Sequence, residues 1–200
     1  MFLGCLAPLA WLGWLAFSGG LGANPIEAAV RSLGDWGLRF LLLSLAITPA
    51  ARSLNLPVLM RFRRMLGLFA FFYVCLHLLA YVGLDQFFDW TAVWDDIVKR
   101  TYITVGMAAF LLLLPLAATS TKGMIKRLGS NRWKRLHALV YPAAILACLH
   151  YIMMVKADLR APLVYAGILM LLLGWRIGAA LRRRGVPLLR RGPRPLRGSA

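Results

Sequence analysis

Three histidines, His77, His137 and His150, fall within or at the edge of long apolar runs. Imidazole is costly to leave in hydrocarbon unless something binds it, and an ionisable side chain inside a membrane is a functional candidate by default. Imidazole is also a common axial ligand of haem iron. These residues therefore raise the chemistry of a haem held inside a membrane, and the elements that must position them are the apolar runs themselves.

The chain has 200 residues, is 60% hydrophobic and has a mean hydropathy of +0.70. A soluble chain is nearer half apolar. Six apolar segments of spanning or near-spanning length can be marked at about residues 2–17, 36–50, 66–84, 103–118, 136–155 and 162–177. The second and fourth are short for a full span. The first is not read as a cleaved signal peptide, because no basic residue precedes it and no clear small-residue cleavage site follows.

The net charge of +17 is partitioned along the chain. Residues 51–65 carry Arg52, Arg61, Arg63 and Arg64, and residues 119–135 carry Lys122, Lys126, Arg127, Arg132, Lys134 and Arg135. Seven arginines follow Ile177, and all seven acids lie in or beside the other three linkers. Basic excess marks the cytoplasmic side, and every alternate connection obeys it. A nucleic-acid-binding surface would not alternate with apolar spans, so that class is set aside. The expectation is an all-α membrane protein, with six transmembrane helices in a bundle and both termini cytoplasmic. It has one membrane domain over residues 1–180 and a basic, disordered cytoplasmic tail over 181–200, attracted to the lipid bilayer.

The three cysteines, Cys5, Cys75 and Cys148, lie within spans and suggest no disulfide framework. Cys75 and Cys148 each stand two residues before a histidine, about 200° around a helix, so joint ligation is disfavoured. The repeated Cys-Leu-His triplet is treated as chance. No glycine-rich phosphate loop is visible; Gly19, Gly20 and Gly22 read as a turn cluster.

The spans holding His77 and His150 run outward from the cytoplasm, which puts both histidines at a similar outer depth and His137 at the cytoplasmic mouth. A single membrane histidine could merely hydrogen-bond a neighbouring helix. Two at matching depth on separate helices favour a bis-imidazole haem. Thirteen residues separate His137 from His150 by roughly 20 Å along a helix, which suits two centres near opposite faces. No fourth histidine completes a second pair, and His137 could simply be solvated. Arg63 lies fourteen residues before His77, about 40° from alignment on one helix. It could bind haem propionates or lie over the iron, while its topology-setting reading is favoured on the residues alone. The thirteen-residue spacing also rotates His150 about 140° from His137, and Pro142 between them could reset the phase through a kink or π-turn. Arg39, four residues after Asp35, is either an i,i+4 partner or the neutraliser of an outer propionate. The acidic residues of the 85–96 linker could dock a periplasmic partner or be ordinary outside-facing acidity.

Together these stretches resemble the ferric reductase-like transmembrane group, and within it the MsrQ (YedZ) family. The matching residues are Gly19-Gly-Leu-Gly-Ala-Asn-Pro25, Leu38-Arg-Phe-Leu-Leu, Ile47-Thr-Pro49 and Arg61-Phe-Arg-Arg-Met-Leu-Gly67. Further along are Leu76-His77, Thr119-Ser-Thr121, Trp133-Lys-Arg-Leu-His137 and His150-Tyr151. The likeness covers nearly the whole chain except the basic tail. It implies a b-type cytochrome of the bacterial inner membrane that takes electrons from membrane quinone and passes them to MsrP. That partner is a periplasmic molybdopterin subunit that reduces methionine sulfoxide in oxidised proteins. It implies heme b, one or two per chain, with His77 and His150 ligating one and His137, with Arg63 opposite, at a second. A flavin, FMN, is also associated with the family, although no binding motif for it is visible. The alternative is a ferric reductase-like carrier fed by a separate cytoplasmic flavin reductase. A channel or transporter using the histidines for protons stands further off.

Overall fold

The computed structural model describes residues 2–155 and 157–184, and every regular element among them is helical. The helices are α1 (Phe2–Phe17), α2 (Pro25–Ser53), α3 (Met60–Ala80), α4 (Trp90–Lys99), α5 (Thr101–Ala118), α6 (Lys122–Leu128), α7 (Ser130–His137), α8 (Val140–Met154) and α9 (Arg160–Arg184). Among the described residues, four stretches are long and apolar enough to cross a membrane: Pro57–Asp85, Thr101–Ala118, Ser130–Met154 and Arg160–Arg182. The apolar α1 has 16 residues. The 29-residue α2 is much longer than its apolar run, and its first half carries Glu27, Arg31, Asp35 and Arg39. Its start follows from local chemistry: Pro25 opens the first turn, and Asn24 accepts from the Glu27 amide while its own amide donates to the Glu27 carboxylate at 2.9 Å.

The bundle is built on two tight helix pairs, α2 with α3 and α5 with α8. Small residues permit this closeness, as expected where lipid removes a net hydrophobic drive between helices. A Cβ on Gly37 would lie 2.8 Å from Val74 Cγ2, and one on Gly67 3.4 Å from Ser44 Oγ. Ala70, Ala143 and Ala144 are fully buried at these seams. The first pair also holds α1. The fully buried Tyr73 of α3 accepts from the Leu9 amide at 3.1 Å and donates to the Cys5 carbonyl at 2.8 Å. These two backbone groups are four residues apart, so the hydroxyl sits inside the hydrogen-bond ladder of α1, beside the break that Pro8 makes.

Between α7 and α8 the chain tightens rather than widening into a π-turn. The amides of Ala138, Leu139 and Tyr141 all bond to carbonyls three residues back. Pro142 has no amide to offer the Ala138 carbonyl, and Tyr141 takes that acceptor instead. The π-type winding lies beyond His77, over Tyr81–Asp85. Helix α9 continues through Arg182 to Arg184, so the basic tail begins as its last turn; residues 185–200 lie outside the description.

Candidate functional site

His77 on α3 and His150 on α8 come together with ring centres 6.3 Å apart and ring planes 79° from parallel. Each ring is held in the same way. His77 Nδ1 donates to the Val30 carbonyl of α2 at 2.8 Å, and His150 Nδ1 donates to the Tyr102 carbonyl of α5 at 2.6 Å. A carbonyl only accepts, so Nδ1 carries the proton in both and Nε2 keeps its lone pair. This is the outer-shell arrangement that fixes tautomer and orientation in metal-ligating histidines.

Space for each ring comes from a glycine one turn beyond the accepting carbonyl. A Cβ on Gly34 would stand 3.0 Å from His77 Nδ1, and one on Gly106 2.8 Å from His150 Nδ1. Val30 with Gly34, and Tyr102 with Gly106, are both i,i+4 pairs, so one device is used twice. The Cys-Leu-His triplets that read as chance along the chain thus occupy matching surroundings. The cysteines do not join the histidines: Cys5, Cys75 and Cys148 are all free thiols. Among the described residues no three His, Cys, Asp or Glu side chains gather as a metal cluster.

Two imidazoles whose Nδ1 atoms are both engaged are a donor set that could hold one haem iron through their Nε2 atoms. Metal–imidazole bonds run to about 2.0–2.1 Å, and a ring centre lies about 1.1 Å behind its nitrogen, so two rings sharing one ion would have centres about 6.3 Å apart.

His137 is placed differently. It ends α7, stacked on Trp133 with ring centres 3.8 Å apart. Thr119 donates its hydroxyl hydrogen to the Pro115 carbonyl at 2.6 Å, so its oxygen accepts from His137 Nε2 at 3.1 Å. Trp133 Nε1 donates to the Thr119 carbonyl at 3.0 Å, which locks the arrangement. The nitrogen that is free in the His77–His150 pair is therefore engaged here. Arg63 and His137 nonetheless line one cavity of about 230 Å³, with Ser44, Leu45, Gly67 and Val140 among its walls. Arg63 forms no ion pair with any described carboxylate.

Arg39 and the acidic residues of the 85–96 linker make packing contacts. Arg39 pairs weakly with Asp35 at 3.9 Å, donates to the Tyr165 hydroxyl at 2.7 Å, and lies 4.7 Å over the Trp36 ring. It joins α2 to α9. In the acidic linker, Asp89 caps α4, Asp95 pairs with Lys99, and Asp96 meets Arg100 at 3.0 Å and the Tyr81 hydroxyl at 2.9 Å. The Tyr102 hydroxyl, then Asp96, hold Arg100 above the usual arginine pKa. Asp96 thus ties α4 to Arg100 at the start of α5, two residues from the Tyr102 carbonyl that orients His150, while Asp89 and Asp95 act within α4.

A family model described as the ferric reductase like transmembrane component matches residues 33–148. A protein-methionine-sulfoxide reductase heme-binding subunit MsrQ from Rhodospirillum rubrum is 66% identical over 184 residues, 92% of this chain and 88% of that protein. Proteins of the same description from Caulobacter vibrioides and Xanthomonas euvesicatoria are 57% and 51% identical. They cover 88% and 95% of this chain and 84% and 89% of their own lengths. The chain belongs to the MsrQ family.

Within that family frame, sequence reasoning missed Gly34, Gly106, Thr119 as the partner of His137, and Arg176. A glycine beside a histidine on another helix leaves no local signal. Arg176, by contrast, stands inside an apolar run as a lone charge and was legible as an intramembrane arginine.

Proposed function

We propose that the chain is a b-type cytochrome subunit of the bacterial inner membrane. It takes electrons from membrane quinol and passes them to MsrP, the periplasmic molybdopterin subunit that reduces methionine sulfoxide. The observation that carries this reading is the His77–His150 pair, with centres 6.3 Å apart and each Nδ1 tied to a carbonyl. The relatives' description as heme-binding subunits of a protein-methionine-sulfoxide reductase supports a haem and a reductase partner; membrane quinol as the electron source is part of the proposal.

In the proposed topology six spans cross the membrane: α1, α2, α3, α5, α7 with α8, and α9. The basic linkers and both termini are cytoplasmic, following the positive-inside rule. His77 and His150 then sit in the outer half, facing the periplasmic partner. Haem held by these two residues would supply reversible one-electron transfer at a potential set by its ligands and surroundings. The chain's own work is to hold two neutral imidazoles in one tautomer, to pack apolar helices around them, and to keep water away. His137 and Arg63 border the inner cavity and are the residues proposed for a second haem. Ligation through His137 Nε2 requires release of its bond to Thr119.

Visible spectroscopy of the purified protein tests the reading. A reduced b-type band is expected, and its absence before and after reduction refutes the cytochrome. His77→Ala and His150→Ala should each remove the outer haem signal; two variants with a full bis-histidine spectrum exclude this ligand pair. Quinol-driven reduction of added MsrP should require both histidines.

A further inference from the structure

A second cavity, of about 390 Å³, lies at the opposite end of the α3 span from the one that reaches His137. Its walls are Leu78 and Tyr81 at the end of that span, Trp90, Val93 and Trp94 of α4, and Met107 of α5. The volume falls in the range of small-molecule sites, and the walls are apolar except for the Tyr81 hydroxyl and the indole N–H groups. The chain bends sharply to form it. The span ends in π-type winding over Tyr81–Asp85, and Phe87 and Phe88 both take positive φ, of 48° and 61°. The Phe88 amide donates back to the Val82 carbonyl at 2.8 Å, which turns the chain into α4. π-type turns and bulky residues in the left-handed region are both costly, and such strain collects at functional sites.

The cavity adjoins the paired imidazoles through two helices. Leu78 follows His77 directly, and Tyr81 stands one turn further, about 6 Å along the helix. Met107 follows Gly106, the glycine against which the His150 ring rests. The Tyr81 hydroxyl donates to Asp96 Oδ2 at 2.9 Å, so its oxygen keeps lone pairs that can accept a hydrogen bond. Arg100 holds Asp96 in place at 3.0 Å. Trp90 and Trp94, one turn apart on α4, are 68% and 65% exposed. Helix α4 joins two stretches that are each long and apolar enough to span, so these indoles sit at a membrane interface, where tryptophan is favoured. A lipid-soluble molecule can therefore enter from the side.

We infer that this cavity binds the head group of a membrane quinol, with Tyr81 accepting from one quinol hydroxyl and Trp90 and Trp94 flanking the ring. The inference deepens the quinol reading above and rests on it. A phospholipid acyl chain would use the apolar walls, but it has no use for a hydroxyl held by a carboxylate or for a place beside the paired histidines. Oxidation breaks both quinol O–H bonds and yields quinone, two protons and two electrons. Ferric haem at His77 and His150 is the acceptor and takes the electrons singly, so two reductions of iron(III) to iron(II) balance one quinol. One proton passes by the Tyr81 hydroxyl toward Asp96 and the other leaves by the cavity mouth. Both reach water on the outer side of the proposed topology.

Full-length purified protein is irradiated with an azidoquinone, and the labelled peptides are mapped by mass spectrometry. In parallel, haem reduction by duroquinol is followed in stopped flow beside reduction by dithionite. Label is expected within residues 78–107. Val93→Trp, which fills the cavity, should abolish that label and slow reduction by duroquinol at least tenfold, with the dithionite-reduced spectrum unchanged. Tyr81→Phe should slow reduction at limiting duroquinol about three- to tenfold, the scale of one neutral hydrogen bond. Should Val93→Trp not accumulate, Ile97→Phe is read by the same criteria. Label confined to the surroundings of His137, or reduction at the wild-type rate in the cavity-filling variant, overturns the site. Label displaced by excess phosphatidylglycerol but not by duroquinone also overturns it, because that marks an acyl-chain groove. A wild type whose haem is reduced by dithionite but not by duroquinol refutes the quinol reading and this site with it. A wild type without haem refutes the cytochrome, and the label alone then decides whether a quinone occupies the cavity.

Discussion

Replacing Gly106 by alanine should cripple the haem site proposed at His77 and His150 through one methyl group. The new Cβ would stand 2.8 Å from His150 Nδ1, 3.0 Å from Cε1 and 3.3 Å from Cγ. Ordinary contact begins near 3.4 Å, so the ring must retreat by about 0.6 Å. That exceeds the roughly 0.5 Å within which a binding geometry must be held. It also pulls Nδ1 from the Tyr102 carbonyl, a bond of 2.6 Å. Losing an orienting partner of a metal ligand typically costs about 10- to 100-fold in affinity, about 1.4–2.8 kcal/mol. Gly34→Ala needs a retreat of only about 0.4 Å from His77 Nδ1, so its effect should fall at or below the lower end of that range. Gly174→Ala on α9 meets nothing within 4 Å and serves as the control. The assay is haem per chain and the rate of haem loss to an apo-globin acceptor, read from the b-type band. Gly106→Ala with haem affinity equal to that of Gly174→Ala would refute the close-approach argument.

Other outcomes follow from single contacts. Tyr73→Phe removes the hydroxyl wedged into α1 and should lower stability by about 1 kcal/mol, seen as an earlier thermal transition in detergent with the haem spectrum unchanged. Thr119→Val leaves His137 Nε2 without its partner, while the Pro115 carbonyl keeps its bond from the Thr119 amide at 3.0 Å. It should cost about 1–3 kcal/mol, with Thr119→Ser close to wild type in the same thermal assay. Asp96→Asn weakens the brace formed with Arg100 and Tyr81. Because Arg100 is half exposed, the loss should stay below about 1 kcal/mol and shrink at high salt, testable by unfolding at two ionic strengths.

The helical class and the spacing of the apolar spans could be read from composition and charge, because hydrocarbon admits few alternatives to an internally bonded helix. Element ends were less legible. Helix α2 runs well beyond its apolar stretch on the N-terminal side, since an Asn-Pro cap and i,i+4 ion pairs stabilise a helix without raising hydropathy. The amphipathic α4 and the short α6 escaped for the related reason that neither is apolar enough to register as a span.

The sequence by itself determined which side chains could do redox chemistry: three histidines in apolar runs, two of them depth-matched by topology. Residue type and one-dimensional spacing suffice for that, because burial cost depends on chemistry and depth. Only the tertiary structure decided how each is held. It brought His77 and His150 to 6.3 Å, tied each Nδ1 to a carbonyl beside a glycine, and engaged His137 Nε2 with Thr119. Those partners lie 18 to 48 residues away along the chain. Their roles depend on interhelical contacts of a few tenths of an ångström, which no spacing within one helix encodes.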